Sequence, residues 1–493
     1  MDKAVEERGA RHVAAPALTD REKNVIIAGV LLSMLLAALD QTIVAPAMPT
    51  IAAALGDAEY LPWIVTAYLL TATAMAPLYG KLSDIYGRRP IIFAGILIFL
   101  AGSVLSAVAP NMLVLILGRA VQGVGGGGLF ALAQTIIGDL VPPRERARYA
   151  SWISATWATA SIAGPLLGGA FAEHLHWSLI FWINMPLGAV AMAIISAPLK
   201  KLPVHARNHR IDGLGALLLI AATALLLLAL NWGGSAYAWT SPQLLGILGC
   251  SALFWAAFAL RLTKAAEPLI SLEVLSNRIV LAGTISMFLL QAASIGLSVY
   301  LPVYLQAYVG LTAGQSGMSL LGLLLGTVAG ATTSGRLIPR FTHYKRLAVG
   351  GAAFAAACLA ALSLVAGSAS LWTVQLLAVL IGIGSGTGFP VSTVSVQNAV
   401  DRAHLGVATG VLTFLRSLGG ALGVAILGAV AFGYGLPLVE RGAQGAAPVE
   451  SAAPFAMIFL VSALLMLGSL VAIALMPEKP LRGAEHVQPV SAE

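Results

Sequence analysis

The sequence predicts an all-α integral membrane fold of fourteen transmembrane helices, and three observations predict it. Hydrophobic residues make up 58% of the 493-residue chain, and Asp, Glu, Lys and Arg together only 10%. A soluble domain carries about 25% charged residues, and its surface could not hide this much apolar area. Apolar runs long enough to cross a bilayer, which takes about 20 residues, recur along the whole chain. Lys and Arg crowd every second connection between those runs and are nearly absent from the others, the pattern left when cytoplasmic loops keep the basic residues.

The predicted spans are 25–47, 60–79, 91–109, 112–140, 149–172, 177–198, 213–231, 243–262, 279–304, 315–338, 346–366, 371–396, 405–433 and 454–476. Ahead of the first lies a polar tail with Lys3, Arg8, Arg11, Arg21 and Lys23, whereas the next connection holds only Asp57 and Glu59. Lys81, Arg88 and Arg89 then precede a bare turn near Pro110, and Arg144, Arg146 and Arg148 precede a connection with Glu173, His174 and His176. The alternation continues to the end. Of the 28 Lys and Arg residues, all but Arg119 and Arg416, inside spans, and Arg441, on an opposite loop, fall on one side. A wrong helix count would scramble this order, so both termini are expected in the cytoplasm. The net charge of +7 follows from topology and implies no nucleic-acid partner. The polar tail shows no cleavable secretory signal, and the first run is long enough to stay in the membrane. Cys250 and Cys358 both lie in apolar runs and are expected to be buried small hydrophobes, with no disulfide or metal site.

The chain repeats itself. Gly80-Lys81-Leu82-Ser83-Asp84 returns, eroded, as Gly335-Arg336-Leu337-Ile338-Pro339; Gln122-Gly123-Val124-Gly125-Gly126 returns as Ile381-Gly382-Ile383-Gly384-Ser385; and Gly164-Pro165-Leu166-Leu167-Gly168 returns as Gly419-Gly420-Ala421-Leu422-Gly423. The offsets are 255, 259 and 255 residues, which indicates a duplication. The predicted division is therefore a cytoplasmic tail (1–24), a six-helix bundle (25–200), a linker with two extra spans (201–278), a second six-helix bundle (279–476) and a second tail (477–493). Repeated halves around a central site are how secondary transporters alternate access.

Gly80-Lys-Leu-Ser-Asp84-Ile-Tyr-Gly87-Arg88-Arg89 resembles the signature loop of the major facilitator superfamily. The fourteen spans narrow the resemblance to its drug:proton antiporter branch of the QacA/EmrB type. So do Leu39-Asp40-Gln-Thr-Ile-Val-Ala-Pro46, Trp63-Ile-Val-Thr-Ala-Tyr68, Leu117-Gly-Arg119-Ala-Val-Gln122-Gly123 and Gly164-Pro165-Leu-Leu-Gly168-Gly169. What the resemblance implies is a proton-coupled exporter. In the family, the Asp matching Asp84 and the Arg matching Arg88 lock the halves together at the cytoplasmic rim. An acid at the inner end of the fourth span, here Asp139, is the usual third member, and Arg89 stands beside them. The Gly164-Pro165 motif is associated with antiporters and with sealing the outer side; the plainer reading is a packing kink.

Asp40 is the one acid well inside a span, about fifteen residues from its start and past the midplane at roughly 1.5 Å per residue. A carboxyl there is costly and by default functional, because a site shielded from water favours its protonated form. Arg119 enters the fourth span to a similar depth and stays charged. It favours ionised Asp40 in one state and releases it in another, the coupling role that the resemblance also implies; the alternative is a fixed structural pair. Arg416, near the midplane of the thirteenth span, either complements an anionic substrate group or bonds to neighbouring helices. Gln41, Trp63, Tyr68, Gln122, Trp157, Gln291, Tyr300 and Tyr304 are candidate cavity walls, with ordinary core packing as the alternative for each. Gly123 to Gly128 form a helix-packing face rather than a phosphate loop, since no strand precedes them and no Gly-Lys-Ser/Thr ends them. With no nucleotide motif, an ion gradient must supply the energy.

These readings converge on a monomeric, multi-pass protein of the cytoplasmic (inner) membrane, without cofactor or metal, that exchanges protons for an amphipathic small molecule amid membrane lipids. Export of an endogenous lipid, fatty acid or secondary metabolite is the alternative within transport, and proton-coupled import a further one; no catalytic cluster or long soluble loop points to an enzyme. Because Asp40 is the one deep acid, neutral, monocationic or anionic amphiphiles are expected as substrates, and dications not.

Overall fold

The first helix begins where the chain can satisfy its own free N–H groups. The Thr19 hydroxyl accepts from the Glu22 N–H and the Glu22 carboxylate accepts in return from Thr19, a capping box that starts α1 (Asp20–Leu55). The helix thus starts five residues ahead of the apolar run. The computed structural model describes residues 19–56, 60–201, 212–233, 237–265, 267–311, 313–341, 343–401, 404–434 and 451–481. The tail residues up to 18 and from 482, Asp57, Glu59, Arg207, Arg210, Arg402, Arg441 and most of the connection 434–453 lie outside them.

The rest is helical: α2 (Leu61–Tyr86), α3 (Arg88–Ala107), α4 (Met112–Leu140), α5 (Pro143–His174), α6 (Leu179–Trp182), α7 (Asn184–Ser196), α8 (Gly213–Trp232), α9 (Pro242–Lys264), α10 (Leu272–Ser276), α11 (Arg278–Ala307), α12 (Ala313–Leu337), α13 (Lys345–Val365), α14 (Leu371–Gly386), α15 (Gly388–Ala399), α16 (Leu405–Gly433) and α17 (Ala453–Leu475). Thirteen spans among the described residues are long and apolar enough to cross a bilayer. The remaining predicted one, α5, is a helix of 32 residues diluted by Thr156, Thr159, Ser161, Gly164 and Pro165. Two predicted spans are broken. The run 177–198 splits at Ile183 into α6 and α7, and 371–396 splits at Thr387 into α14 and α15. The second break falls in Gly386-Thr387-Gly388 ahead of Pro390, where backbone freedom and a missing N–H end the hydrogen-bond ladder. Between α2 and α3 a single residue turns the chain, Gly87 at φ 90°, a conformation that favours glycine.

Close approaches of backbone set the packing. A Cβ on Gly127 of α4 would overlap the backbone of Ala72 on α2, and one on Gly386 of α14 the backbone of Thr327 on α12. In the same way Gly168 admits the Ile43 carbonyl of α1 to α5, and Gly423 the Ala292 carbonyl of α11 to α16. The repeated glycines thus make repeated contacts. Helices α8 and α9 pair with each other, and α8 lies against both α2 and α16. Trp232 meets Trp63 edge-on at 5.8 Å, Asn231 donates to Thr66 at 2.9 Å, and Trp255 of α9 stands 6.1 Å from Phe414. Cys358 is buried as expected, but Cys250 is exposed. Helix α9 buries one stripe, Leu244, Ser251, Phe258 and Leu262, and Cys250 stands off that stripe on the outward face.

Candidate functional site

Three features converge: a buried ion pair within α1–α7, a charged latch at the basic end of the bundle, and a cavity between the two repeats.

Asp40 and Arg119 are brought together and sealed, with 0% and 1% of their side chains exposed. One Asp40 oxygen, Oδ2, accepts from Arg119 Nη1 at 2.5 Å. The other, Oδ1, accepts from Gln122 Nε2 at 2.7 Å and from Asn184 Nδ2 at 3.0 Å. Both amides also donate to the Ser103 hydroxyl, at 2.7 and 3.2 Å. The guanidinium is used further: Nε donates to the Ile64 carbonyl at 3.0 Å, and the Tyr68 ring lies 4.5 Å beneath it. Five helices, α1, α2, α3, α4 and α7, each contribute. Such a shell suits an ionised carboxylate, since every bond to it is a donor. Asn184 and Ser103 were not foreseen. The signal available was a single Asn in an apolar run and Ser103, one of two serines in another. Tyr68 and Gln122, expected as cavity walls, belong instead to this shell, and Gln41 stands beside the Tyr68 hydroxyl.

At the basic end, Arg88 bridges Asp84 (2.5 Å) and Asp139 (2.7 Å). Asp84 also accepts from the N–H groups of Gly406 and Val407, at 3.1 and 2.9 Å. Those amides open α16, so a side chain of the first repeat caps a helix of the second. Gly80 makes this possible, because a Cβ there would overlap the Gly406 carbonyl. Gln397 of α15 adds a donor to the Gln134 carbonyl of α4 at 3.2 Å. Arg89 takes no part; it reaches the Ser196 carbonyl at 3.4 Å and lies over Phe93.

A cavity of about 180 Å³ lies where α4 and α5 face α11, α12, α14, α15 and α16. Trp157, Gln291 and Arg416 line it, with Gln134, Ser294 and Phe389. Trp157 stacks on Phe130 at 5.3 Å, and Arg416 lies 5.8 Å from the Phe389 ring centre. Asp40 and Arg119 do not line it. Neither do the other expected walls. Trp63 turns to Trp232. Tyr304 is fully buried among Phe455 and Phe459, donating to the Ala366 carbonyl at 2.7 Å, and Tyr300 packs against the same cluster. Gly164 lies against Thr42, whose hydroxyl donates to the Ala160 carbonyl at 2.8 Å, whereas Pro165 is exposed and nothing stands near Gly169.

A helical membrane protein with two packed repeats, a cavity between them and a latch across one end has the form of a transporter. Known proteins agree. The Major Facilitator Superfamily model matches residues 30–424 and 283–487, and the chain belongs to that superfamily. Multidrug resistance protein 3 of Bacillus subtilis is 35% identical over 405 residues, covering 82% of this chain and 79% of that protein. The multidrug transporter protein MdtP of the same organism is 33% identical over 409 residues, covering 83% and 75%. Among solved structures, the proton:xylose symporter XylE superposes with a TM-score of 0.64 at 13% identity, covering 94% of this chain and 98% of that one. The human organic anion transporter MFSD10 superposes with 0.63 at 18%, covering 92% and 99%. These structures share the fold, and the similar proteins are transporters rather than enzymes.

Proposed function

We propose that this chain is a fourteen-span, monomeric drug:proton antiporter of the cytoplasmic membrane that exports amphipathic compounds by alternating access. Its repeats (25–200 and 279–476) form the two moving bundles, and the 201–278 linker pair rides on them. Both termini face the cytoplasm, so the latch from Asp84 to α16 closes the cytoplasmic side and the described state is sealed inward. The observation that carries the reading is the Asp40–Arg119 pair, a protonatable group buried away from the substrate cavity but inside one of the two bundles that line it. Resemblance to multidrug transporters supports the direction of transport.

In this scheme a proton reaching Asp40 from outside neutralises the carboxylate, weakens its hold on Arg119 and lets α1 and α4 repack. Opening of the latch then exposes the cavity to the cytoplasm, where a new substrate enters as the proton leaves. The experiment is Asp40→Asn in proteoliposomes carrying a pH-sensitive dye. The amide is nearly isosteric and cheaper to bury than a charge, so the variant folds and inserts. Substrate-driven proton movement falls at least 100-fold. Wild-type exchange in this variant would remove Asp40 as the carrier and leave Asp139 as the next acid.

A further inference from the structure

Among the described residues, the central cavity is lined by one charge and no counter-charge. Arg416 is the single charged residue among those that line it. Its guanidinium lies over the Phe389 ring, and among the described residues no ion pair or hydrogen bond engages it. Three more lining groups are buried without a partner: the Trp157 indole Nε1–H, Gln291 Oε1 and the Ser294 hydroxyl. A lone cation and unmet polar atoms are costly in an apolar setting, so they persist where a ligand supplies what is missing. Around them stand Ile295, Leu297, Leu323 and Met466, which offer only apolar contact.

We propose that this cavity takes amphipathic monoanions, with the anionic head on Arg416 and the body on the apolar wall. The inference rests on the transport reading above and names its substrate class. Guanidinium recognises a carboxylate or similar oxyanion through paired N–H donors, and Ser294 and Trp157 supply further donors. The Trp157 face, braced by Phe130 at 5.3 Å, suits a flat ring. At about 180 Å³ the space is below the roughly 300–1,000 Å³ of ordinary ligand pockets, which limits the body to one or two rings in this state. A cationic amphiphile finds the opposite: Asp40 is sealed inside α1–α7, bonded on both oxygens, and none of the described residues that line the cavity is an acid. Of the neutral, monocationic and anionic amphiphiles expected from the sequence, the monocations therefore have no geometry behind them.

The test measures binding of radiolabelled 1-naphthylacetate to the full-length protein in nanodiscs, with empty nanodiscs as the blank. Unlabelled 1-naphthylacetamide and 1-naphthylethylammonium compete at neutral pH. The carboxylate binds at least ten-fold more tightly than the amide, and the ammonium binds weakest. Arg416→Gln brings the carboxylate to the level of the amide, and Arg416→Lys keeps part of the preference. Trp157→Phe, which retains a ring and removes the N–H, weakens the carboxylate a few-fold. Ammonium binding as tight as carboxylate binding, or no binding of any of the three, overturns the proposal on the wild type alone. So does a preference that survives Arg416→Gln. Ammonium export in exchange for protons sinks this inference and leaves the antiport reading standing; Arg416-dependent carboxylate binding without proton movement does the reverse.

Discussion

Gly127 and Gly386 make the same approach in different repeats, one against Ala72 and the other against Thr327. Eight and five residues before Gly127 stand Arg119 and Gln122, two members of the Asp40 shell. The corresponding residues before Gly386 are Ala378 and Ile381, both buried. The latch shows the same contrast. Asp84 and Arg88 join an acid pair and a helix start across the bundle, whereas the echoing loop ends in Pro339 and its Arg336 is exposed. Small residues at helix crossings are needed in both copies, since each bundle must pack. A protonatable carboxylate and a latch are needed once. The glycine crossings thus recur in both halves, whereas the buried carboxylate pair lies in α1–α7 and, among the described residues lining the cavity, Arg416 of α16 is the one charge.

The sharpest way to break this comparison is to remove the two deep arginines in turn. Arg119→Ala leaves Asp40 buried beside two amides and no cation, and breaking a buried pair costs about 3–5 kcal/mol. The purified variant should lose thermal stability strongly in detergent, and Asp40→Asn should restore much of it. Arg416→Ala removes a charge that no ion pair among the described residues balances, so its melting temperature should stay level or rise. Equal losses from both would mean that Arg416 also has a structural partner and that the contrast between repeats is only one of position.

The shared scaffold can be tested in the same assay. Gly127→Ala and Gly386→Ala each drive a methyl group into a facing backbone that cannot swing aside. Overpacking of this kind costs about 1–3 kcal/mol. The two losses should be similar, while Gly169→Ala, with nothing nearby, should be silent. A large loss from only one of the pair would show that the repeats no longer pack alike.

Much of this was legible in the sequence because hydropathy, charge and glycine spacing act locally. Hydropathy and charge place the spans and single out Asp40 and Arg119, whereas Asp84, Arg88 and Asp139 are marked by the family resemblance; the fold assembles the five into two clusters. Other parts were not legible. The partner of Asp84 across the latch is backbone, the N–H groups of Gly406 and Val407, and a backbone donor has no residue signature. Asn184 and Ser103 are neutral, so no charge pattern flags them. Trp63, Tyr300 and Tyr304 are aromatic residues in membrane helices, and aromatics face cavities, lipid or neighbouring helices alike. Which of these occurs depends on how a helix is rotated, and the polar residues beside them do not fix that. The breaks at Ile183 and Thr387 have Asn184 and Pro186, and Gly386, Gly388 and Pro390, beside them, but glycine and proline also sit inside unbroken membrane helices such as α2 and α5, so those residues alone do not mark a break.

The smallest expected effect concerns the latch, where the two repeats meet. Asp84 contributes a helix cap to α16 and an ion pair to Arg88, both at a part-buried rim. Loss of a capping side chain costs about 0.5–2 kcal/mol. That is too little to unfold the protein, but a shift of about 1.4 kcal/mol moves a two-state equilibrium ten-fold. Asp84→Ala should therefore leave the melting temperature within a few degrees of wild type and change which state is populated. Spin labels on the exposed Tyr86 and Arg336, one in each repeat, report that change as a longer distance population in pulsed electron resonance. Arg336→Ala, tested with the second label moved to Phe341, should not alter the distribution, because the eroded loop has no acid to hold it. Asp84→Asn should fall between, since an amide oxygen still accepts from the α16 N–H groups while the pairing with Arg88 is lost. An unchanged distribution in Asp84→Ala would mean that the Gly80–Gly406 approach and the Gln397–Gln134 contact hold the closed end by packing alone, with the charges only solvated beside them.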